Sequence, residues 1–378
     1  MFRFLMLIAS LFLLTYSLPT IEKQFKDTDY GQAIEQIGSQ INEIKDNPEA
    51  METISTVFDG VQSLLEQLNL RLDEMPKDTK PQEEHEKLEL KAPAEQLFSI
   101  HNVELGSAKE DIEHDLGQAN RISLNEYGRD WNAYHDNYHD FFMVMYDGNN
   151  KVAGLYTNQD LISSGNGIKM GSAKSDVRAV MGEPLTGIQK GMTIYQFQKD
   201  ADYDVFLSDQ TYVTFFYDKH ENNTVTAMQL VSKELEDKRN GFYTEASPEL
   251  KEGFEYQLFD LTNAARVMHN LPVLTWDEHV RTTARKHSAD MATNNYFDHT
   301  NLQGESPFDR MKEDDIVFHL AGENLAYGQF SSIFAHEGLM NSLGHRENIL
   351  KKGYEYLGVG VAFNGESHPY YTQNYYAK

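Results

Sequence analysis

The spacing of apolar residues changes along the chain, and each change marks a different kind of element. Ile34, Ile37, Ile41 and Ile44 recur at helical intervals, and after Pro48 the series Met51, Ile54, Phe58, Val61, Leu65, Leu68, Leu72 continues them. This predicts two helices sharing one apolar stripe, broken at Asp46-Asn47-Pro48. A helical hairpin used as a spacer accounts for the stripe, and self-association through residues 34–72 is the other use of it. Residues 19–75 are therefore read as a helical segment. Residues 76–96 are read as a solvated linker, with Pro76, Pro81 and Pro93 among alternating charges.

Over residues 97–232 the pattern repeats itself. "LGSAKEDIEHDLGQA" from Leu105 and "MGSAKSDVRAVMGEP" from Met170 align Gly106 with Gly171, Ser107 with Ser172, Asp111 with Asp176 and Gly117 with Gly182. Each copy predicts a short helix capped by its serine and ended by its glycine. β-rich sequence follows each, with turns at Gly148-Asn149-Asn150 and Glu221-Asn222-Asn223. The expectation is a duplicated helix-plus-antiparallel-sheet module of two similar lobes. His135 and His139 have a spacing that suits a metal, and are read as part of a tyrosine-rich surface loop.

Residues 233–253 read as a second charged linker, followed by a last domain over 254–378. Phe254, Leu258, Leu261, Ala265 and Met268 mark one helix face. Val280, Ala284, His287 and Met291 mark another, ending near Asn294-Asn295. A short helix is expected over Ile333 to Met340 behind Ser331 or Ser332. "YLGVGVAF", a turn at Asn364-Gly365 and "YYTQNYY" complete an antiparallel pair. The predicted class is α+β, with a C-terminal sandwich of helices on a sheet.

At the other end, Arg3 precedes an apolar run from Phe4 to Leu14, with Thr15 and Ser17 as the small residues beyond it. Residues 1–18 are read as a secretory signal or, uncleaved, as an anchor through residues 2–18. The formal charge of −26, from 33 basic and 59 acidic side chains, speaks against a nucleic-acid partner and against electrostatic docking on anionic lipid. The chain has no cysteine, which excludes disulfides and thiolate chemistry.

Candidate chemistry gathers in three stretches read as loops: "NNYFDHTNLQG" with His299, "AGENLAYG" with Glu323, and "NSLGHRENIL" with Ser342 and His345. A buried glutamate needs a partner, and two histidines can supply it. Asn324 is read as bonding its own loop, Arg346 and Glu347 as a solvated pair, and His287 and His336 as packing or surface residues. Ser342 lacks the G-x-S-x-G setting of an activated serine, and "HEGLM" at His336 lacks the second histidine of a zinc-protease helix.

"TNAAR", "LPVLTWDEHV", "ADMATNNYFDHT", "SPFDRM", "AGENLA", "NSLGHRENIL" and "LGVGVAF" occur in one order. This resembles the CAP superfamily, the cysteine-rich secretory, antigen-five and pathogenesis-related proteins, in its bacterial extracellular branch. The middle region is similar to the CAP-associated module. The resemblance implies an α-β-α sandwich whose cleft holds a His, Glu, Glu, His tetrad. His299, Glu323 and His345 take three of its places. Ser342 stands where eukaryotic members have the second glutamate, and Leu339 where many have tryptophan. The implied role is a secreted or cell-surface binding module for a small ligand, lipid or peptide, with His299, Glu323, Asn324, Ser342 and His345 as ligand-binding residues. His299 and His345, with Glu323, would be the ligands of a zinc ion. The alternative is a metal-dependent hydrolase with Glu323 as general base.

Overall fold

A computed structural model describes residues 88–378 apart from 191, 200 and 240. The signal or anchor at 1–18 and the helices expected over 34–72 lie outside the described residues.

The first half opens with β1 (Phe98–Ile100), α1 (Lys109–Leu116), β2 (Arg121–Leu124), β3 (Asp130–Asp136), β4 (His139–Tyr146), β5 (Val152–Thr157) and β6 (Ile162–Ser164). It continues with α2 (Lys174–Met181), β7 (Gly187–Lys190), β8 (Thr193–Gln196), β9 (Tyr203–Ser208), β10 (Thr211–Asp218) and β11 (Thr224–Ser232). The two helix-plus-strand halves do not form separate lobes. They join edge to edge through β5 and β11 into one seven-stranded sheet of order β2-β3-β4-β5-β11-β10-β9. A two-lobe arrangement would leave unpaired strand edges at the seam, which pairing removes.

Corresponding backbone bonds recur in the two halves. Lys109 N donates to Asn150 O at 2.9 Å and Lys174 N to Asn223 O at 3.0 Å. Gly106 N reaches Val152 O at 2.8 Å and Gly171 N reaches Val225 O at 2.9 Å, both glycines having φ near +80° to +90°. Ser107 and Ser172 do not cap the helices as expected. Ala108 and Ala173 hold the cap positions without a side-chain bond, because the chain is still paired to the following turn there. The halves part after Leu185, where the second inserts the β7–β8 hairpin as its own small sheet.

β4 and β5 are buried along nearly their whole length, as strands covered on both faces must be. On one face Phe142, Val144 and Leu155 pack with Ile112 of α1 and Val177 of α2. On the other, Trp131, Phe141, Met143 and Tyr156 pack with Leu261, Ala264 and Ile333 of the C-terminal domain.

The segment 233–253 is not a solvated linker. Ser232 caps α3 (Lys233–Lys238), Glu236 is buried against Lys190, and residue 248 already begins α4 (Pro248–Met268) behind the Ser247 cap. Two serine caps and Pro248 at a helix start outweigh the charge density that suggested a linker. After α4 come β12 (Thr275–Trp276), α5 (Glu278–Asn294), α6 (Pro307–Glu313), β13 (Leu320–Tyr327), α7 (Ser332–Met340), α8 (Leu343–Ile349), β14 (Tyr356–Phe363) and β15 (Pro369–Ala377). Asp277 caps α5, left-handed Asn295 ends it, and Ser331 caps α7.

The four strands run β12-β14-β15-β13, which puts β13 on an edge. Leu357, Val359 and Val361 of β14 pack toward Phe254 and Leu258 of α4. Gly358 and Gly360 face α5 so closely that a Cβ on either would lie 2.2 Å from a backbone nitrogen of that helix. The alternation of valine and glycine in "YLGVGVAF" therefore serves two helix layers, giving the expected sandwich.

Candidate functional site

Glu323 lies on β13, not in a loop. Pairing with β15 over eight residues, from Leu320 opposite Ala377 to Tyr327 opposite Tyr370, makes "LAGENLAY" a strand despite its glycine and asparagine. Its side chain is buried and both carboxylate oxygens are engaged. Oε1 is 2.9 Å from His299 Nδ1, and Oε2 accepts from Arg310 Nη2 at 2.8 Å. Arg310 also donates through Nη1 to the carbonyls of His299 and Glu305, at 2.8 and 3.0 Å. One guanidinium thus fixes both the carboxylate and the loop that carries the histidine, in the fork geometry that distinguishes arginine from lysine.

Arg310 was missed as a site residue by sequence reasoning. Its signal was present in "SPFDRM". Ser306 and Asp309 form a capping box that starts α6, and this places Arg310 one turn into a helix beside a glutamate that needs a cation.

The bond to Glu323 raises the imidazole of His299 above its ordinary value, against the opposing effect of burial. His345 behaves oppositely: burial lowers it, and the charge of His299 lowers it further. The two imidazoles are therefore near enough to sense one another. His345 sits in α8, not in a loop, and its Nδ1 is 2.7 Å from Ser342 Oγ, three residues back at the helix cap. Ser342 caps nothing with its side chain; its hydroxyl orients the ring. This occupies the position where the family resemblance leads one to look for a second glutamate, and it does so without adding charge.

Asn324 does not share the face of Glu323, since neighbours on a strand point opposite ways. It is fully buried, donating to His345 O at 3.1 Å and to Gln373 Oε1 at 3.2 Å, and accepting from Asn348 at 3.0 Å. It ties α8 to β13 and bonds across elements, not within its own loop. Arg346 is no solvated partner of Glu347. It is buried, and its Nη1 donates to Asp218 Oδ2 of β10 at 2.7 Å. His287 is buried with Nε2 3.0 Å from Asp298 O, and burial lowers its imidazole. Burial likewise takes His336 down to about 3. His135 lies on β3, stacked on Tyr138 at 4.1 Å, so its segment is a packed hairpin and not a surface loop.

Among the described residues, no group of three or more His, Asp or Glu is arranged to hold a metal ion. A cation at Glu323 would have to compete with the Arg310 guanidinium for the carboxylate. The Glu323 side chain is only 1% exposed, so its carboxylate is held away from solvent as well as paired.

Residues 105–242 match the family model for the CAP-associated N-terminal domain, and residues 259–375 that of the cysteine-rich secretory protein family, CAP. Two curated proteins of Bacillus subtilis are similar. "Uncharacterized membrane protein YlbC" is 28% identical over 320 residues, covering 79% of this chain and 89% of that protein. "Uncharacterized protein YkwD" is 39% identical over 135 residues, 36% of this chain and 51% of that one. Among solved structures, an extracellular protein containing a SCP domain from Bacillus anthracis aligns with a TM-score of 0.61 at 27% identity, over 72% of this chain and 94% of that one. A cysteine-rich secretory protein from Staphylococcus aureus aligns at 0.56 and 16% identity over 72% and 91%, which speaks to fold alone. Among the described residues no helix is long and apolar enough to cross a membrane.

Proposed function

The chain carries a CAP domain preceded by a CAP-associated N-terminal domain, and we propose that it acts outside the bacterial cell as a binding module rather than as a hydrolase. The observation that carries this reading is the full engagement of Glu323. Its two oxygens bond His299 and Arg310 and its side chain is only 1% exposed, so we read the residue best placed for chemistry as a structural counter-ion. Recognition then falls to His299, whose side chain is 52% exposed, and to the half-buried His345.

The surroundings favour an amphipathic ligand, a lipid or an apolar peptide. Phe297, Leu302, Phe308, Tyr327 and Leu343 are all exposed large apolar side chains, each within four residues of His299, Arg310, Glu323 or His345 along the chain. Phe297 and Tyr327 also meet in space, with ring centroids 5.9 Å apart, and exposed apolar side chains that cluster mark binding surfaces. With His299 protonated, the charges of His299, Arg310 and Glu323 sum to one positive, which suits a carboxylate head group. Attachment through residues 2–18 fits the naming of YlbC as a membrane protein, and export without attachment fits the extracellular relative from Bacillus anthracis. We also read the matching halves of the first domain as copies of one module.

Calorimetric titration with oleate below its micelle concentration tests the binding reading. Binding should weaken at least about tenfold in His299→Ala, a loss near 1.4 kcal/mol, and should fade as pH rises and the imidazole discharges. A zinc titration with a strong heat abolished by His299→Ala and by His345→Ala would instead support the metal-dependent alternative.

A further inference from the structure

We propose that the turn after β10 in the CAP-associated domain is a clamp that positions His345 in the cleft of the CAP domain. Four consecutive residues, Tyr217 to His220, grip the segment carrying Ser342 and His345 from both of its sides. On the near side, Asn341 Nδ2 donates to Tyr217 O at 2.8 Å and Asn341 Oδ1 accepts from Lys219 N at 3.0 Å. The ring of His220 meets Asn341 O at 3.2 Å. On the far side, Arg346 donates to Asp218 Oδ2 at 2.7 Å.

Ser342 and His345 lie between these anchors, so the orienting bond from serine to imidazole is stretched between two points that belong to the other domain. A further tie precedes them in α7, where Tyr156 donates to Glu337 Oε1 at 2.6 Å. Asn341, Arg346, Asp218, Tyr217 and Glu337 are all buried. A buried, charge-assisted bond such as Asp218 to Arg346 is among the stronger ones a fold can make.

Asp218 can serve here because its two oxygens have separate duties. Oδ1 accepts from His220 N at 2.8 Å and folds its own turn, leaving Oδ2 for Arg346. A bulge between Phe216 and Tyr217 re-aims the strand end just before the clamp. His299 has no such dependence, because Glu323 and Arg310 hold it from within the CAP domain. One histidine is therefore fixed by its own domain and one by the neighbour. This holds whatever ligand the cleft takes.

The test uses the whole chain and three variants. Asp218→Asn keeps the side-chain shape and the turn but removes the charge that holds Arg346. Asp147→Asn makes the same change in the matching turn after β4. His220→Ala releases only the contact to Asn341 and serves if Asp218→Asn does not fold. Histidine side-chain NMR should show His345 titrating closer to the ordinary value in Asp218→Asn, as the released ring gains water, with His299 unmoved. The groups that act on the His345 ring there are His299 and the Ser342 hydroxyl, and none of the three variants changes either. Amide exchange across Leu343 to Ile349 should speed up about ten- to a hundredfold, the factor for losing one hydrogen bond to a charged group. Strand β15 should keep its protection, and Asp147→Asn should match the wild type in both measurements. The clamp is overturned if His345 titrates unchanged in Asp218→Asn and in His220→Ala. It is equally overturned if α8 and β15 lose protection together, or if Asp147→Asn moves His345 as far.

Discussion

The turns after β4 and β10 begin with the same two residues, Tyr146-Asp147 and Tyr217-Asp218, and come to serve different ends. Both follow a bulge, between Met145 and Tyr146 in one and between Phe216 and Tyr217 in the other. Both aspartates fold their own turn, Asp147 Oδ1 accepting from Asn149 N at 2.7 Å and Asp218 Oδ1 from His220 N at 2.8 Å. The first turn is short, and Gly148, Asn149 and Asn150 are exposed. The second is longer, with Lys219, His220 and Glu221 where the first has only Gly148; its tip is exposed as well, but Tyr217, Lys219 and His220 reach Asn341 of the CAP domain. A turn that folds by its own aspartate is free to differ in what its tip contacts. The first half grips elsewhere: Tyr138 and Arg121 both bond Asp260 at 2.8 Å, and Gly253 of α4 lies against the backbone of Leu124. One half holds the scaffold helix, and the other holds the arm of the site.

The largest expected effect sets the scale for this comparison, because neither half touches it. Glu323→Gln leaves Arg310 buried without its counter-charge, and should cost about 3–5 kcal/mol in urea unfolding. A loss below about 1 kcal/mol would mean the pair is not buried in solution. Gly253→Ala comes next. The added Cβ would stand 2.0 Å from Leu124 O, a clash with backbone on both sides that should cost about 3 kcal/mol. This change should weaken the grip of the first half while leaving the titration of His345 alone.

The direct contrast follows. Asp218→Asn should lower stability by about 2 kcal/mol, the share of a bond to a charged group. Asp147→Asn should stay within about 0.5 kcal/mol, as exposed turns do. Equal losses would erase the difference between the two turns.

The smallest effect separates the halves by pH. Burial pushes Glu126, in the turn between β2 and β3, up to about 7 from 4.5. A carboxyl raised in the fold contributes its stability below about pH 4.5 and loses it as pH climbs toward about 7. Glu126→Gln should therefore stabilise by about 1 kcal/mol at pH 8 and change nothing at pH 4. Glu337 is pushed up to about 7 in the same way, but it accepts from Tyr156. Glu337→Gln should gain less at pH 8, since the charged form already has a partner. Melting temperatures at the two pH values check both.

Local pattern made much of this legible. The periods of Phe254 to Met268 and Val280 to Met291, the Asn294-Asn295 stop and the valine-glycine alternation of β14 depend on neighbours in sequence, so the helices and strands could be read directly. The pairing of His299 with Glu323 was legible only through the ordered motifs of the family. Arg310 was hidden because a cation one turn into a helix looks like any surface arginine until the glutamate beside it is known to be buried. The role of Arg346 was out of reach, since Asp218 lies 128 residues away and no periodicity links the two. Residues 233–253 were misread because charge density says nothing of burial once Lys190 and Glu236 pair.

The account rests on two neighbouring histidines held by different means, and a histidine titration of the intact protein tests that most directly. The signals are assigned by His299→Gln and His345→Gln and followed by NMR from pH 5 to 9. His299, bonded to Glu323, should titrate above the ordinary histidine value, and His345, buried beside it, should titrate below. Both titrating together near the ordinary value, or in the reverse order, would contradict the account.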